Sequence, residues 1–184
     1  MPITLTKEDG TGKSDANAYA DVADGDAYHA GHLYATAWTG ATSDQKAVSL
    51  VMASRLIDAE YQFNGARSQS AQALQWPRAN CPDPDKAPGP FLAGLLLADP
   101  FVPSSIVPKA LVQATCEMAR ELLVADRTAA PVGQGLKYYN DASIQTGYDK
   151  TDRRPIISPV AQALLDKFGS LINGKSGAVR LVRV

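Results

Sequence analysis

Residues 42–61 read TSDQKAVSLVMASRLIDAEY and form the strongest helical pattern in the chain. Either Thr42 or Ser43 can cap the first turn, because a hydroxyl at that position accepts a hydrogen bond from a free backbone amide. Asn64-Gly65 is typical of a chain leaving a helix. We predict a helix from about Asp44 to Tyr61 with one apolar stripe facing the core. That stripe consists of Val48, Val51, Met52, Leu56 and Ala59.

Three other segments carry helical patterns on either side of this one. Asp21 can cap a helix from Val22 to about Leu33, although Gly25 and Gly31 weaken it. Pro108 suits the first turn of a helix that continues to about Ala125, and Ser158-Pro159 starts a last helix that Asn173-Gly174 stops. The predicted stripes are Leu111, Val112, Thr115, Met118, Ala119, Leu122 and Leu123 in the former, and Val160, Ala161, Leu164, Leu165, Phe168, Leu171 and Ile172 in the latter.

Together these segments predict a mainly α fold, a small helical bundle with a β-hairpin insertion and extended N- and C-terminal arms. Residues 1–175 form the helical domain in this interpretation, and residues 176–184 form a C-terminal docking arm. The domain includes a proline-rich loop at 68–105 and the hairpin at 134–150.

Composition narrows the classes of function. The chain has 184 residues, 45% of them hydrophobic, which is enough for one substantial core. Its net charge is −1, which argues against a protein whose whole surface binds nucleic acid, since that binding requires positive charge. Two cysteines, Cys81 and Cys116, fit a reducing compartment. We expect no signal peptide, because the sequence from Met1 to Leu5 has no basic stretch and no long apolar one. We expect no membrane association, because the longest apolar run, Phe91 to Ala98, is too short to span a bilayer.

Residues 68–105 hold most of the prolines and interrupt the helical patterns. Prolines this dense prevent a long regular helix. The apolar residues among them need cover, and one short helical turn packed on the body or on a neighbour is the simplest interpretation. A long loop usually has a functional reason, and we predict an interface. The candidate interface residues are Phe91, Leu92, Leu95, Leu96 and Phe101.

Two β-type runs, Leu136 to Tyr139 and Ser143 to Tyr148, predict a hairpin around Asn140-Asp141-Ala142. Lys150, Arg153 and Arg154 follow, so tyrosines and basic residues are interleaved here. Such a cluster can bind DNA by base stacking and phosphate contacts, which makes these three residues possible DNA-facing positions. The alternative is a solvated hairpin with amphipathic tyrosines.

Several motifs suggest chemistry but lack a required partner. Gly12-Lys13-Ser14 resembles the end of a phosphate-binding loop, but the glycine needed five positions earlier is Lys7, so a surface turn is predicted. His29 and His32 are the only histidines, and we interpret them as a surface or helix-end pair, because a metal site needs three or four ligands. Cys116 is best explained as a small apolar residue. We predict no catalytic residues, no metal site and no cofactor, and therefore no enzyme.

The segment Val179, Arg180, Leu181, Val182, Arg183, Val184 follows a flexible Gly-Lys-Ser-Gly stretch. Its β-branched residues suit a strand that adds itself to the edge of a partner's sheet, with the arginines at the rim. The alternative is pairing within the chain, with Ile3 to Leu5.

Eight short motifs follow one another in an ordered set. They are Glu8–Gly12, Asp15–Tyr19, Asp26–His29, Ala37-Trp38, Ile57–Tyr61, Leu74–Arg78, Ile106–Pro108 and Ala114–Ala119. This order resembles a family of small proteins from tailed-phage morphogenesis clusters, often labelled DnaT-like single-strand DNA-binding proteins and similar in layout to head–tail connector adaptors. The resemblance covers residues 8–125 and extends to the C-terminal third by layout, while the segment 91–101 has no counterpart in the pattern.

The resemblance implies a structural virion protein, made in the host cytoplasm and located in the neck between capsid and tail. As an adaptor it would form a ring of about a dozen copies that bridges the portal protein to the head-closure or tail-terminator protein. Its partners would be itself, those proteins and, non-specifically, packaged DNA, with residues 179–184 docking on the portal or a neighbouring copy. The alternative is a phage protein that binds single-stranded DNA.

Overall fold

The computed structural model of the protein describes residues 3–86, 91–92, 95–96, 99–129, 138–141, 144–147 and 154–172. These ranges contain five helices: α1 (Val22–His29), α2 (Thr36–Thr39), α3 (Ser43–Glu60), α4 (Lys109–Val124) and α5 (Pro159–Leu165). They also contain eight short strands: β1 (Tyr61–Phe63), β2 (Ala66–Arg67), β3 (Arg78–Ala79), β4 (Phe91–Leu92), β5 (Leu95–Leu96), β6 (Tyr138–Asp141), β7 (Ile144–Gly147) and β8 (Gly169–Leu171). The prediction of a mainly helical fold is confirmed.

Side-chain caps fix where the helices begin. The Asp21 carboxylate accepts from Asp24 N–H, and the Asp24 carboxylate accepts in return from Asp21 N–H, so α1 starts with a reciprocal capping box. Thr42 and Gln45 form the same arrangement before α3, which identifies Thr42 rather than Ser43 as the cap. Ser158 caps α5 with Pro159 at its first position, and α4 follows Pro108, as predicted.

The core lies around α4, which packs against α3 and α5 and also contacts α1 and α2. Leu111, Thr115, Met118 and Ala119 of the predicted α4 stripe are buried. They meet buried residues of α3 and α5 and the large aromatic side chains Tyr19, Trp38, Tyr61 and Trp76.

Helix α3 faces the core with a different side from the one predicted. Val51 is buried as expected, but Val48 is 50% exposed, while Leu50, Ala53 and Ile57 are buried. The buried face also carries Ser54, whose hydroxyl donates to Leu50 O and accepts from Tyr19 N–H. Because its hydrogen bonds are satisfied inside the core, this serine is buried without the usual penalty, and hydropathy alone does not reveal that face.

Two helices are shorter than predicted. Helix α1 ends at His29 instead of continuing to Leu33, as the nearby Gly31 favours. Helix α5 ends at Leu165, and Gly169–Leu171 forms β8, which pairs antiparallel with β1 in the register Tyr61↔Leu171, Gln62↔Ser170 and Phe63↔Gly169. A Cβ atom on Gly169 would lie 2.5 Å from Gln62 O, so glycine permits this close pairing.

The remaining strands form three further antiparallel pairs, β2 with β3, β4 with β5 and β6 with β7. The β6–β7 pair confirms a hairpin in this region, in the register Tyr138↔Gly147 to Asp141↔Ile144. The position predicted for its turn is wrong, because Asn140 and Asp141 belong to strand β6 and pair with β7. The helical turn predicted in the proline-rich loop is wrong: residues 91–92 and 95–96 form the β4–β5 pair. Prolines on both sides and Gly94 in the two-residue connection favour a hairpin over a helix there.

Candidate interaction surfaces

The turn at residues 8–13 wraps its backbone around one buried carboxylate. Gly10 and Gly12 N–H each donate to Glu8 Oε1 at 2.9 Å, and Lys13 N–H donates to Oε2 at 2.8 Å. Both glycines have positive φ, +102° and +75°, which glycine adopts without steric cost. Glu8 itself is 1% exposed. The predicted turn is therefore present, but its amide groups, which a phosphate would need, already bind the protein's own carboxylate.

The motif Leu74–Arg78 holds one buried arginine. Arg78 donates through Nε to Asn64 O at 2.7 Å and through Nη2 to Gly65 O at 2.7 Å and Phe63 O at 3.2 Å. Its Nη1 donates to both oxygens of Gln75. The guanidinium thus ties the chain after α3 to the segment before β3, and we interpret Arg78 as a structural residue.

Asp58 connects α3 to the same segment. Its Oδ1 accepts from the Tyr19 hydroxyl at 2.5 Å, and its Oδ2 accepts from Gln75 N–H at 3.0 Å. The Tyr19 oxygen in turn accepts from Gln75 and Trp76 N–H. Burial raises the pKa of Asp58 to about 6, and the hydrogen bonds from Tyr19 and Gln75 oppose that shift. All of its partners belong to the fold, so this carboxyl group stabilises the packing of residues 74–78.

The two histidines lie at the end of α1, but one of them is not on the surface. His29 is 2% exposed, with Nε2 3.2 Å from Cys116 O and its ring centroid 4.9 Å from that of Trp38. Of the two predicted alternatives, a surface pair or a helix-end pair, the helix end is the correct one for His29, which is the last residue of α1. Its ring fills space beside Trp38, and burial lowers its pKa. His32 Nε2 lies 3.9 Å from Glu117 Oε2. Within the described ranges, no three His, Cys, Asp or Glu side chains are arranged to hold a metal ion.

Cys116 is fully buried, and burial raises the pKa of its thiol to about 12. This agrees with its interpretation as a small apolar residue. Cys116 also lines a cavity of about 610 Å³ between α1 and α4, together with Lys7, Tyr28 and Lys109.

The candidate interface loop is described in part. Phe91 pairs with Leu96 and Leu92 with Leu95 along the backbone of β4 and β5, and their side chains lie outside what the structure describes. Phe101 is half-buried and bridges to Pro82. The interface role of this loop stays a prediction.

Most of the possible DNA-facing and docking residues lie outside the described ranges. Arg154 is described and is exposed, whereas Lys150, Arg153 and the whole docking arm, 179–184, are not described. The DNA-facing and docking roles of these residues stay predictions.

Many cations in the described ranges are bound to carboxylates. The Asp9 side chain lies 2.8 Å from Lys13 Nζ, and this hydrogen bond raises the pKa of Lys13. Lys46 binds Asp26 in the same way, which lowers the pKa of Asp26. These pairs neutralise much of the positive charge on this part of the surface. The six bound cations are Lys7, Lys13, Lys46, Lys86, Arg120 and Arg127.

Two apolar features of the described surface face water. The first is a groove of about 300 Å³ between α3 and α4, called the α3–α4 groove below, and the second is an apolar corner after α1. The corner consists of Leu33 and Tyr34, which are 85% and 74% exposed. The groove is lined by Asp44, Gln45, Val48, Ser49, Met52, Leu122 and Leu123. Apolar side chains that are exposed next to one another are candidates for contact with another chain.

A family model described as "Putative DnaT-like ssDNA binding protein" matches residues 3–184. The chain belongs to this family. The DnaT-like family expected from the order of motifs is thus confirmed, and the match includes the C-terminal third. The family description names single-stranded DNA and no connector. No curated protein and no solved structure matches the chain significantly.

None of the described helices is long and apolar enough to cross a membrane.

Sequence reasoning missed the α3–α4 groove, because it placed Val48 and Met52 in the core. The groove could have been predicted from the two apolar faces of α3, because a single neighbouring helix can cover only one of them.

Proposed function

We propose that this protein is a structural virion protein, a head-to-tail connector adaptor that forms a ring between the capsid portal and the head-closure or tail proteins. Two properties of the described residues together support the proposal: apolar features are exposed, and many cations are neutralised by carboxylates. The α3–α4 groove and the corner at Leu33 and Tyr34 offer contacts to protein, while six cations among the described residues are bound to carboxylates. A subunit of a ring needs two such different surfaces, because each copy must contact two neighbours through unlike faces.

The ordered resemblance to tailed-phage morphogenesis proteins supports the same proposal. It supplies the partners, which are the portal protein and the head-closure or tail-terminator protein. The docking arm, 179–184, would contact the portal or a neighbouring copy in this arrangement, and the site of action would be the neck of the virion.

Electron microscopy of purified virions tests the proposal directly. We expect ring density between portal and tail into which α1 to α5 fit, and virions whose neck lacks this chain would refute the adaptor. A complementation assay adds a residue-level test. Leu33→Glu with Tyr34→Glu should leave a folded protein, because both side chains are exposed, but should block the joining of filled heads to tails. The matched control is Val160→Glu, since Val160 is 53% exposed on α5, away from both apolar features.

Binding of single-stranded DNA is the second candidate function. The family description favours it, as does the sequence of basic and aromatic residues around the β6–β7 hairpin, with Lys150, Arg153 and Arg154 as the candidate contacts.

Anisotropy titration with a labelled oligonucleotide separates the two functions. If those three cations bind phosphates, the slope of log affinity against log salt is about −2, so affinity falls roughly 20-fold from 50 to 200 mM salt. Replacing all three by glutamine should then abolish the salt dependence. Replacing Arg55, Arg67 and Lys167, exposed cations elsewhere on the surface, is the charge-matched control. Equal loss in both triple variants would indicate only non-specific attraction.

A further inference from the structure

The α3–α4 groove has an apolar floor and one acidic end. Val48, Met52, Leu122 and Leu123 form the floor, and Asp44 stands at the first turn of α3. Within the described residues, no lysine or arginine lies within ion-pair distance of Asp44. Covering this floor with apolar side chains is favourable, because each buried CH₂ group contributes about 0.8 kcal/mol. The groove therefore suits an apolar segment that also carries a positive charge.

The chain leaves β8 close to the helix that forms one wall of this groove. Ile172 N–H donates to Glu60 O at 2.8 Å, which fixes the end of β8 beside the last residue of α3. Met52 and Val48 precede Glu60 by eight and twelve residues, so they lie roughly 12 and 18 Å back along the helix axis. Residues 173–178 can span up to about 20 Å when extended. They read Asn-Gly-Lys-Ser-Gly-Ala, a composition typical of a flexible linker.

Residues 179–184 follow this linker and read Val-Arg-Leu-Val-Arg-Val. The linker is long enough for this segment to reach the groove. Four of the six side chains are apolar and match the floor, and two are arginines, of which one can pair with Asp44. We infer that residues 179–184 bind in the α3–α4 groove of their own chain. A six-residue linker gives the segment an effective concentration in the millimolar range, so binding within the chain outcompetes binding to another copy in dilute solution.

This binding needs no role in a virion and can be tested on the isolated protein. In the proposed adaptor it has one further consequence: the arm and the groove would both become available only after the segment leaves the groove.

Paramagnetic relaxation measured by NMR tests the inference. Ser176→Cys in the linker provides a site for a spin label outside the proposed binding segment, and the native Cys81 and Cys116 are fully buried. In a sample whose isotope label and spin label are on the same chain, we expect the methyl signals of Met52 and Leu123 to broaden. In a mixture of spin-labelled chains with separate isotope-labelled chains, the same signals should stay sharp. In the same-chain sample, adding Val48→Glu should make the methyl signals of Met52 and Leu123 sharp again. Adding Val160→Glu instead, at a residue of matched exposure, should leave them broadened.

Two results would overturn the inference. Sharp groove signals in the same-chain sample would mean that the segment does not bind there, and this result does not depend on any groove variant folding. Broadening in the mixture would identify a second copy as the occupant. Neither result bears on the ring seen or not seen in virions, so the inference and the proposed function fail separately.

Discussion

Replacing Glu8 by glutamine should cost much of the protein's stability while keeping the shape of the side chain. The carboxylate accepts three backbone N–H bonds, two on Oε1 and one on Oε2. A glutamine oxygen can still accept from Gly10 and Gly12, but the amide nitrogen then faces Lys13 N–H, donor against donor. The Lys13 amide loses its partner, and the other two bonds lose their charge assistance.

The magnitude follows from these three bonds. An unsatisfied buried donor costs about 1–3 kcal/mol, and changing a charged acceptor to a neutral one costs about 0.5–1 kcal/mol per bond. Together they give about 3 kcal/mol, which for a chain of this size lowers Tm by roughly 6–12 °C. The protein should remain folded at 25 °C, because typical stabilities are about 5–15 kcal/mol.

Urea unfolding followed by circular dichroism measures the free energy of unfolding, and calorimetry measures Tm. The matched control is Asp15→Asn, which removes one negative charge from an exposed residue nearby and should change stability by less than about 0.5 kcal/mol. If Glu8→Gln behaves like Asp15→Asn, the carboxylate does not hold the turn, and the reasoning from hydrogen-bond counting is wrong.

Three further predictions concern the interior. Gly25→Ala should lower the free energy of unfolding in urea by about 2–3 kcal/mol, since a Cβ atom would lie 2.2 Å from the Trp38 ring. Gly31→Ala is the control, because a Cβ atom there would have nothing within 4 Å. Equal effects of the two substitutions would contradict the close contact. Arg78→Lys should lower the free energy of unfolding by about 2–4 kcal/mol, because an ammonium group cannot replace the five hydrogen bonds that the guanidinium donates. Arg67→Lys, at an exposed position, should leave it unchanged in the same assay. Because burial raises the pKa of Asp58 from 3.8 to about 6, the native state binds more protons than the unfolded state between these values. The free energy of unfolding should therefore fall by about 2 kcal/mol as pH rises from 4 to 7. Asp58→Asn should flatten this part of the curve, and an unchanged slope would assign the effect to other groups.

Helix starts were predictable because they depend on local chemistry. Asp21, Thr42 and Ser158 each accept a hydrogen bond from the amide three positions ahead, and a contact over so short a distance can be predicted from the sequence. The first part of the α4 stripe was predictable too, because there the helix is covered on its apolar side by several neighbours at once. Its last two residues, Leu122 and Leu123, line the α3–α4 groove instead.

Features that depend on distant partners were not predictable. The face of α3 that enters the core is decided by Tyr19, which bonds Ser54 and Asp58 from outside the helix. The strand β8 continues an apolar helical pattern, and only the presence of β1 at the right distance makes an extended conformation better there. For the candidate surfaces, the sequence indicated contact elements but placed the wall of the α3–α4 groove inside the core.

The pairing of β1 with β8 closes residues 64–168 into one large loop. The entropy of closing such a loop grows only with the logarithm of its length. Adding a segment as long as 91–101 therefore costs about 0.1 kcal/mol in closure entropy. Relatives can lengthen or shorten the proline-rich loop and the hairpin with almost no thermodynamic effect on the helices. The segments proposed to contact partners can thus change in length while the body that positions them stays the same.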